Sequence, residues 1–145
     1  MAEKPNLDAA YALQTPTENR LLYAEWAETY DNDFAENLRY ALPIRVADAF
    51  VEKLNGKQHG RILDIGDGTG LVGQRLKYFN FSNIDGLDIS SEMLEVAKTK
   101  GCYENMIEGD LSLKLPIQNN SYNYIISAGT FTHGHVGASA LDELL

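Results

Sequence analysis

The stretch RILDIGDGTGLVG, Arg61 to Gly73, places a glycine-rich turn directly behind a short β-branched run, with Asp64 and Asp67 set around the turn. The β-branched run is typical of a buried strand. From Gly70 onward, apolar residues recur at helical spacing. The turn is therefore predicted to join a strand to a helix, which is where parallel α/β folds bind ligands.

Strands and helices alternate along the rest of the chain. Because parallel strands need crossover helices, this alternation predicts an α/β fold, a Rossmann-like parallel sheet with helices on both faces. The predicted elements after the turn are a strand over Asn83 to Ile89, a helix from Ser90 or Ser91 through Lys100 with Gly101 at its end, a weaker strand at Met106 and Ile107, a fourth strand in YNYIIS, and the start of a helix in VGASALDELL.

Two helices are predicted ahead of the first strand. The segment TPTE has the form of a capping box, with Thr15 as N-cap and Glu18 three residues later, and Pro43 can open the second helix. Both helices are expected in front of the sheet. Residues 1–14 show no clean period and are expected to be a loose arm, so we place one domain over residues 15–145.

Composition limits the classes of partner. The 145 residues are 44% hydrophobic, enough for one core, and 12 Lys+Arg against 21 Asp+Glu give a net charge of -9. No basic block offers a surface for nucleic acid or anionic lipid, and no apolar run has membrane-spanning length. With a single cysteine an internal disulfide is impossible, so we expect a cytoplasmic protein.

The charge of the glycine turn narrows the class of ligand. GTGLVG fits the dinucleotide pattern G-x-G-x-x-G, and Asp88 follows about 20 residues later, where a ribose-binding acid belongs. A phosphate at this turn would meet Asp64 and Asp67, and like charges about 4 Å apart repel by ~4 kcal/mol at an effective dielectric near 20. No cation in the local sequence offsets them. The turn is expected to prefer a cationic ligand without phosphate.

Several segments resemble one enzyme family. DIGDGTG, residues 64–70, resembles the D-x-G-x-G-x-G signature of class I S-adenosyl-L-methionine (SAM)-dependent methyltransferases. GLDIS (86–90), GDL (109–111) and SAGTFTHGHVG (127–137) are similar to later strand-end segments of that family. YAEWAETYDNDF (23–34) resembles the N-terminal segment of the Williams-Beuren-region methyltransferase-like proteins and their bacterial relatives.

The resemblance implies SAM as cofactor, a ligand that is cationic and carries no phosphate. It implies that glycines let the backbone approach the ligand, that Asp64 orients the ammonium, and that Asp88 accepts both ribose hydroxyls. Ile89 and Leu111 would enclose the adenine. Tyr30 would close over the sulfonium, and Asp110 would accept from the adenine amino group. The implied cofactor residues are thus Tyr30, Asp64, Gly66, Gly68, Gly70, Asp88, Ile89, Asp110, Leu111 and Ser127.

The chain departs from the family pattern at three points. Asp67 stands where the family usually has a small neutral residue or cysteine, and Asn123 stands where an acid is frequent. The family sheet has seven strands, so we expect this chain to lack the last three and to be incomplete relative to that fold.

The predicted function is methyl transfer from SAM to a small-molecule acceptor. His133 and His135 are weak candidates for a general base, and two histidines do not close a zinc site, so no metal is expected. Two alternatives remain at this point. One is an NAD-linked oxidoreductase that uses GTGLVG, and the other is an inactive truncated methyltransferase homologue that acts as a binding protein.

Overall fold

A parallel sheet forms the middle of the protein in the computed structural model, which describes residues 8–9, 12–31, 41–57, 59–131 and 136–145. Within these ranges the elements are α1 (Pro16–Trp26), α2 (Leu42–Leu54), β1 (Ile62–Ile65), α3 (Leu71–Tyr78), β2 (Ile84–Asp88), α4 (Ser91–Thr99), β3 (Asn105–Glu108), β4 (Tyr124–Ser127) and a 3₁₀ helix over Ala138–Glu143. No helix among them is long and apolar enough to cross a membrane.

The sheet has the strand order β3-β2-β1-β4, with every neighbouring pair parallel. The chain moves outward from β1 to β2 and β3 and then returns to β4 on the other side of β1. This reversal creates a topological switch point between the carboxyl ends of β1 and β4, where open α/β sheets leave a crevice for ligands. The predicted α/β fold is confirmed.

Apolar side chains cover both faces of the sheet. All residues of β1 are buried, as expected for a central parallel strand with helices on either side. One core cluster contains Ala47, Ile62, Val72, Leu76, Phe81, Ile84 and Ile126. The second contains Leu63, Ile65, Leu87, Leu111, Leu115 and Ala140.

The helix starts follow the predicted local chemistry. At α1, the Glu18 N–H donates to Thr15 Oγ1 at 3.2 Å and the Thr15 N–H donates to Glu18 Oε2 at 3.1 Å, which completes the capping box. At α4, the Met93 N–H donates to Ser90 Oγ at 3.2 Å. Gly101 follows α4 with a φ of 62°, the left-handed conformation typical of a helix end.

The VGASALDELL segment differs from its prediction. It forms a six-residue 3₁₀ helix, Ala138–Glu143, instead of the first turns of an α-helix. Its N-cap is Gly137, which has no side chain to accept from the first N–H groups. A short segment without a side-chain cap is typical of 3₁₀ geometry.

A buried carboxylate joins the strands at the end of the sheet away from the turn. Asp85 is 2% exposed. It accepts from Arg61 Nη2 at 2.6 Å, from Tyr122 Oη at 2.7 Å, and from the backbone and side-chain nitrogens of Asn105 at 3.1 and 2.9 Å. Arg61 thus points away from the glycine turn. One carboxylate therefore accepts from residues at or just before the starts of three other strands of the sheet.

Asp85→Ala is expected to destabilise the chain by about 1–3 kcal/mol, because it removes a buried carboxylate that accepts hydrogen bonds from Arg61, Tyr122 and Asn105. Urea unfolding measures the change. Asp48→Ala is the matched control, since Asp48 pairs with Arg75 at the surface and such pairs contribute little. Equal unfolding midpoints for the two variants would contradict the structural role of Asp85.

Candidate functional site

The glycine turn between β1 and α3 brings its backbone close to the sheet at one glycine and leaves it open at another. Gly66 has a φ of 63°, and a Cβ there would lie 2.1 Å from Thr130 Oγ1. Gly68 has a φ of 55°, but a Cβ there would have no heavy atom within 4 Å. Gly66 therefore permits packing against the loop after β4, whereas Gly68 leaves room at the turn for a ligand.

Asp88, the last residue of β2, lies against this turn. Its Oδ2 accepts from the Gly68 N–H at 2.9 Å, and its Oδ1 accepts from the Ser90 N–H at 2.9 Å. Burial raises the pKa of Asp88, and the backbone N–H groups oppose that rise. Each carboxylate oxygen can accept a second hydrogen bond, so both remain able to bind ligand hydroxyls.

Asp64 is buried beneath the turn and is held by a tyrosine. It is 0% exposed, and its Oδ2 accepts from Tyr103 Oη at 2.7 Å, while its Oδ1 has no hydrogen-bond partner in the described part of the chain. Tyr103 also accepts from the Gly73 N–H at 3.2 Å. Burial raises the pKa of Asp64 to about 7, against the effect of the Tyr103 hydrogen bond.

Asp67 is the second buried acid of the turn. It is 7% exposed, and neither carboxylate oxygen has a hydrogen-bond partner among the described residues. Its side chain fits because position 86 is a glycine, where a Cβ would lie 2.4 Å from Asp67 Oδ2. Burial, followed by the charges of Asp88 and Asp64, raises the pKa of Asp67 well above its usual value. The turn therefore carries two buried carboxyls that resist ionising together.

Lys100 brings a cation that the local sequence of the turn does not contain. Its Nζ donates to the Thr69 carbonyl at 2.5 Å and to Asp31 Oδ2 at 2.6 Å, and the Thr69 hydroxyl donates to Asp31 Oδ1. Lys100 comes from the end of α4, so it reaches the turn only in the folded chain and lies outside the local sequence to which the prediction referred. Lys100 lowers the pKa of Asp67, but burial and the charges of Asp88 and Asp64 outweigh this effect.

A cleft opens over the turn at the switch point of the sheet. Tyr30 reaches it from the segment after α1, and its contact with a cofactor stays a prediction. The residues that line the cleft are Tyr30, Pro43, Gly66, Asp67, Gly68, Thr69, Leu71, Val72 and Ala128. Over the described ranges, no group of three or more His, Cys, Asp and Glu side chains is arranged to hold a metal ion. His133 and His135 lie outside the described residues.

Four further predicted contacts have the following places. Ser127, at the end of β4, lies with its Oγ 3.1 Å from the Ile65 carbonyl oxygen. Asp110 Oδ1 accepts from the Ser112 N–H at 2.8 Å in a local turn, and Leu111 is 5% exposed in the second core cluster. Ile89 is half-buried just after β2. The adenine contacts assigned to Ile89, Asp110 and Leu111 remain predictions.

The sequence interpretation did not single out Tyr103, Lys100 or Asp31 as site residues. Tyr103 and Lys100 follow the helix after β2 and reach the turn only through packing. Asp31 follows Tyr30 directly, so its place beside a predicted contact was the one local signal for it.

Gly66→Ala and Gly68→Ala separate a steric clash from backbone strain. Both alanines must adopt a left-handed φ, which costs about 1 kcal/mol, but only the Gly66 variant also meets the Thr130 hydroxyl. We expect the melting temperature of ligand-free Gly66→Ala to fall several degrees further than that of Gly68→Ala. Calorimetric melting curves measure both, and equal shifts would contradict the packing role of Gly66.

The buried acids make stability depend on pH. Because the folded pKa of Asp64 is about 7 against an ordinary value of 3.8, the folded chain holds protons that the unfolded chain releases. Stability is therefore expected to fall as pH rises from 3.8 towards about 7, by at most ~1.4 kcal/mol per pH unit and per proton.

Asp67→Asn is expected to flatten this dependence, because it removes one of the coupled carboxyls. Urea unfolding at intervals of pH measures the slope, with Glu52→Gln on the exposed side of α2 as the charge-matched control. Identical slopes in the wild-type chain and in Asp67→Asn would contradict the assigned protonation.

Comparison with known proteins agrees with this geometry. A family model described as "Methyltransferase domain" matches residues 62–145. Methyltransferase-like protein 27 of Homo sapiens is 32% identical over 138 residues, which cover 94% of this chain and 56% of that protein. An uncharacterized methyltransferase of Bacillus mycoides is 33% identical over 120 residues, which cover 81% of this chain and 55% of that protein.

A solved structure shares the fold. It comes from Methanococcus maripaludis, is described as an S-adenosyl-L-methionine-dependent methyltransferase, and matches with a TM-score of 0.63 at 25% identity over 86% of this chain and 57% of that one. The chain spans about half the length of the curated relatives it matches. From its sheet order, its glycine turn and these matches, the chain belongs to the class I SAM-dependent methyltransferase family.

Proposed function

We propose that this chain binds SAM at the carboxyl ends of β1 and β2 and supports transfer of the SAM methyl group to a small-molecule acceptor. The observation that carries the proposal is the arrangement of Asp88 and the turn. Asp88 holds the Gly68 N–H at 2.9 Å and keeps acceptor capacity on both oxygens, which suits a pair of ribose hydroxyls.

The acids beneath the turn suit the charged end of the same ligand. Asp64 Oδ1 and both oxygens of Asp67 are buried without hydrogen-bond partners in the part of the chain that the structure describes. A buried carboxyl without a partner is costly, and a cation placed nearby lowers that cost by favouring the ionised form. A ligand with an ammonium group and a sulfonium group supplies the charge, whereas a diphosphate would add to the repulsion.

Tyr30 is proposed to cover the charged end of the ligand. Its ring lines the cleft, and an aromatic face near a cation contributes about 0.5–2 kcal/mol. The Tyr30 and Trp26 rings pack at 5.1 Å between centroids, with Tyr23 beside them. This stacking gives Tyr30 a rigid support, which limits the conformational entropy lost on binding.

Methyl transfer asks little covalent chemistry of the protein. Bound SAM would supply an electrophilic methyl group to a lone pair of the acceptor, and the sulfur would keep the electrons of the broken bond. The chain has to hold the donor, exclude water and leave an open path in line with the methyl group. No side chain of the described residues is assigned as a base.

The acceptor is proposed to be a small molecule. The chain carries a net charge of -9 and no basic block, so its surface does not favour an extended phosphate backbone. The cleft lies between the sheet and the segment that follows α1 and is lined by residues of both.

Calorimetric titration with S-adenosylhomocysteine (SAH) tests the cofactor assignment. We expect SAH to bind the wild-type chain and NAD to bind far more weakly. Asp88→Ala is expected to weaken SAH by about 1.5–3 kcal/mol, roughly 10-fold to 150-fold, because two charge-assisted hydrogen bonds are lost.

Glu52→Ala is the matched control for this titration. It removes one negative charge from the exposed side of α2 and leaves the turn intact, so its SAH affinity is expected to equal that of the wild-type chain. Binding of NAD with no response to SAH would overturn the proposal in favour of nucleotide-linked redox chemistry. Unchanged SAH affinity in Asp88→Ala would remove Asp88 from the site.

A further inference from the structure

Three polar side chains from distant parts of the chain meet at the edge of the cleft. Asp31 follows α1, Thr69 lies in the glycine turn, and Lys100 is the C-terminal cap of α4. Lys100 Nζ donates to Asp31 Oδ2 at 2.6 Å and to the Thr69 carbonyl at 2.5 Å, and the Thr69 hydroxyl closes the triangle by donating to Asp31.

This arrangement differs from an ordinary surface ion pair. The side chains of Lys100 and Asp31 are 14% and 31% exposed, whereas those of the surface pair Arg75 and Asp48 are 31% and 43% exposed. Lys100 also donates to the Thr69 carbonyl, so it keeps one hydrogen-bond partner if Asp31 moves away. A shielded pair with a third anchor holds its geometry more firmly than an exposed pair.

The position of the triangle links the front of the protein to the turn. Asp31 adjoins Tyr30, and both Tyr30 and Thr69 line the cleft. Trp26, which is 1% exposed in α1, contacts the Tyr30 ring at a centroid distance of 5.1 Å. Because α1 packs against α4, the contact between Asp31 and Lys100 lies where the front helix meets the SAM-binding half of the sheet.

We propose that Asp31, Thr69 and Lys100 form a latch that positions Tyr30 over the bound cofactor and controls its retention. The inference rests on the proposed function, because it concerns the same cleft. All three are positioning residues, since they act through Tyr30 and the turn. The latch needs no bond-making step, and its opening separates α1 from the turn.

The charges of the latch predict an asymmetry between its two ionised members. Asp31→Asn leaves Lys100 on the Thr69 carbonyl as an uncompensated cation beside a site for a cationic ligand. Lys100→Met instead leaves the Asp31 carboxylate, which still accepts from Thr69. Asp31→Asn therefore loses the latch and adds repulsion between Lys100 and the cationic ligand. Lys100→Met also loses the latch but adds attraction between Asp31 and that ligand.

The experiment compares SAM and SAH, which differ by the methyl group and by the positive charge of the sulfonium. Calorimetric titrations of the full chain give both dissociation constants. We expect Asp31→Asn to weaken SAM by about 10-fold to 30-fold and SAH by less, and Lys100→Met to weaken both by about 3-fold to 10-fold. The double variant Asp31→Asn, Lys100→Met is expected to have a SAM dissociation constant between those of the single variants. If the two effects were independent, its fold-change would instead equal the product of theirs.

Trp26, the one tryptophan of the chain, gives a second readout. Opening the latch is expected to increase quenching of Trp26 fluorescence by acrylamide in the ligand-free protein. Lys100→Arg keeps the cation and is therefore expected to retain most of the wild-type SAM affinity. Its comparison with Lys100→Met tests the latch even if Asp31→Asn does not fold. Asp48→Asn removes the surface pair with Arg75 and is expected to change neither readout.

The outcomes separate the latch from the cofactor assignment. A wild-type chain that binds neither SAM nor SAH overturns the proposed function and the latch together. A wild-type chain that binds both, with Asp31→Asn and Lys100→Met variants that keep the wild-type affinities for SAM and SAH and the wild-type quenching of Trp26, overturns the latch alone.

Discussion

The burial of carboxyl groups beneath a glycine turn is the constraint on which the site depends. The turn must let its backbone approach a ligand, so it carries glycines with positive φ where side chains would otherwise stand. The acids under it, Asp64 and Asp67, are withdrawn from water with three oxygen atoms unsatisfied among the described residues. Burial of these oxygen atoms is therefore costly, and a cation placed beside them lowers that cost.

The two ends of the sheet treat buried aspartate in opposite ways. At one end, Asp85 receives hydrogen bonds from Arg61, Tyr122 and Asn105 and joins neighbouring strands. At the other end, Asp67 has no hydrogen-bond partner within the described ranges, although Gly86 provides space for it. A fully satisfied carboxylate stabilises the fold, whereas an unsatisfied one is available to a ligand. This contrast agrees with a structural role for Asp85 and with the ligand-binding role that we propose for the turn.

The switch point of the sheet brings these groups to one place. Because the chain returns to β4 beside β1, the carboxyl ends of the central strands face a crevice, which Tyr30 after α1 and Pro43 of α2 also line. Tyr103 fixes Asp64 from behind, and Lys100 ties Asp31 to the turn. The sheet therefore forms one side of the cleft. The segment that contains Tyr30 forms the opposite side and is held by the ion pair of Asp31 and Lys100.

The sequence by itself determined the order of strands and helices, the turn at Gly66 to Gly70, and the position of Asp88 against it, because periodicity, capping and glycine spacing are local properties of the chain. It did not determine that Lys100 would reach the turn, that Tyr103 would hold Asp64, or that VGASALDELL would form a 3₁₀ helix. Those contacts join residues far apart along the chain, and only the packing of helices on the sheet sets the distances between them.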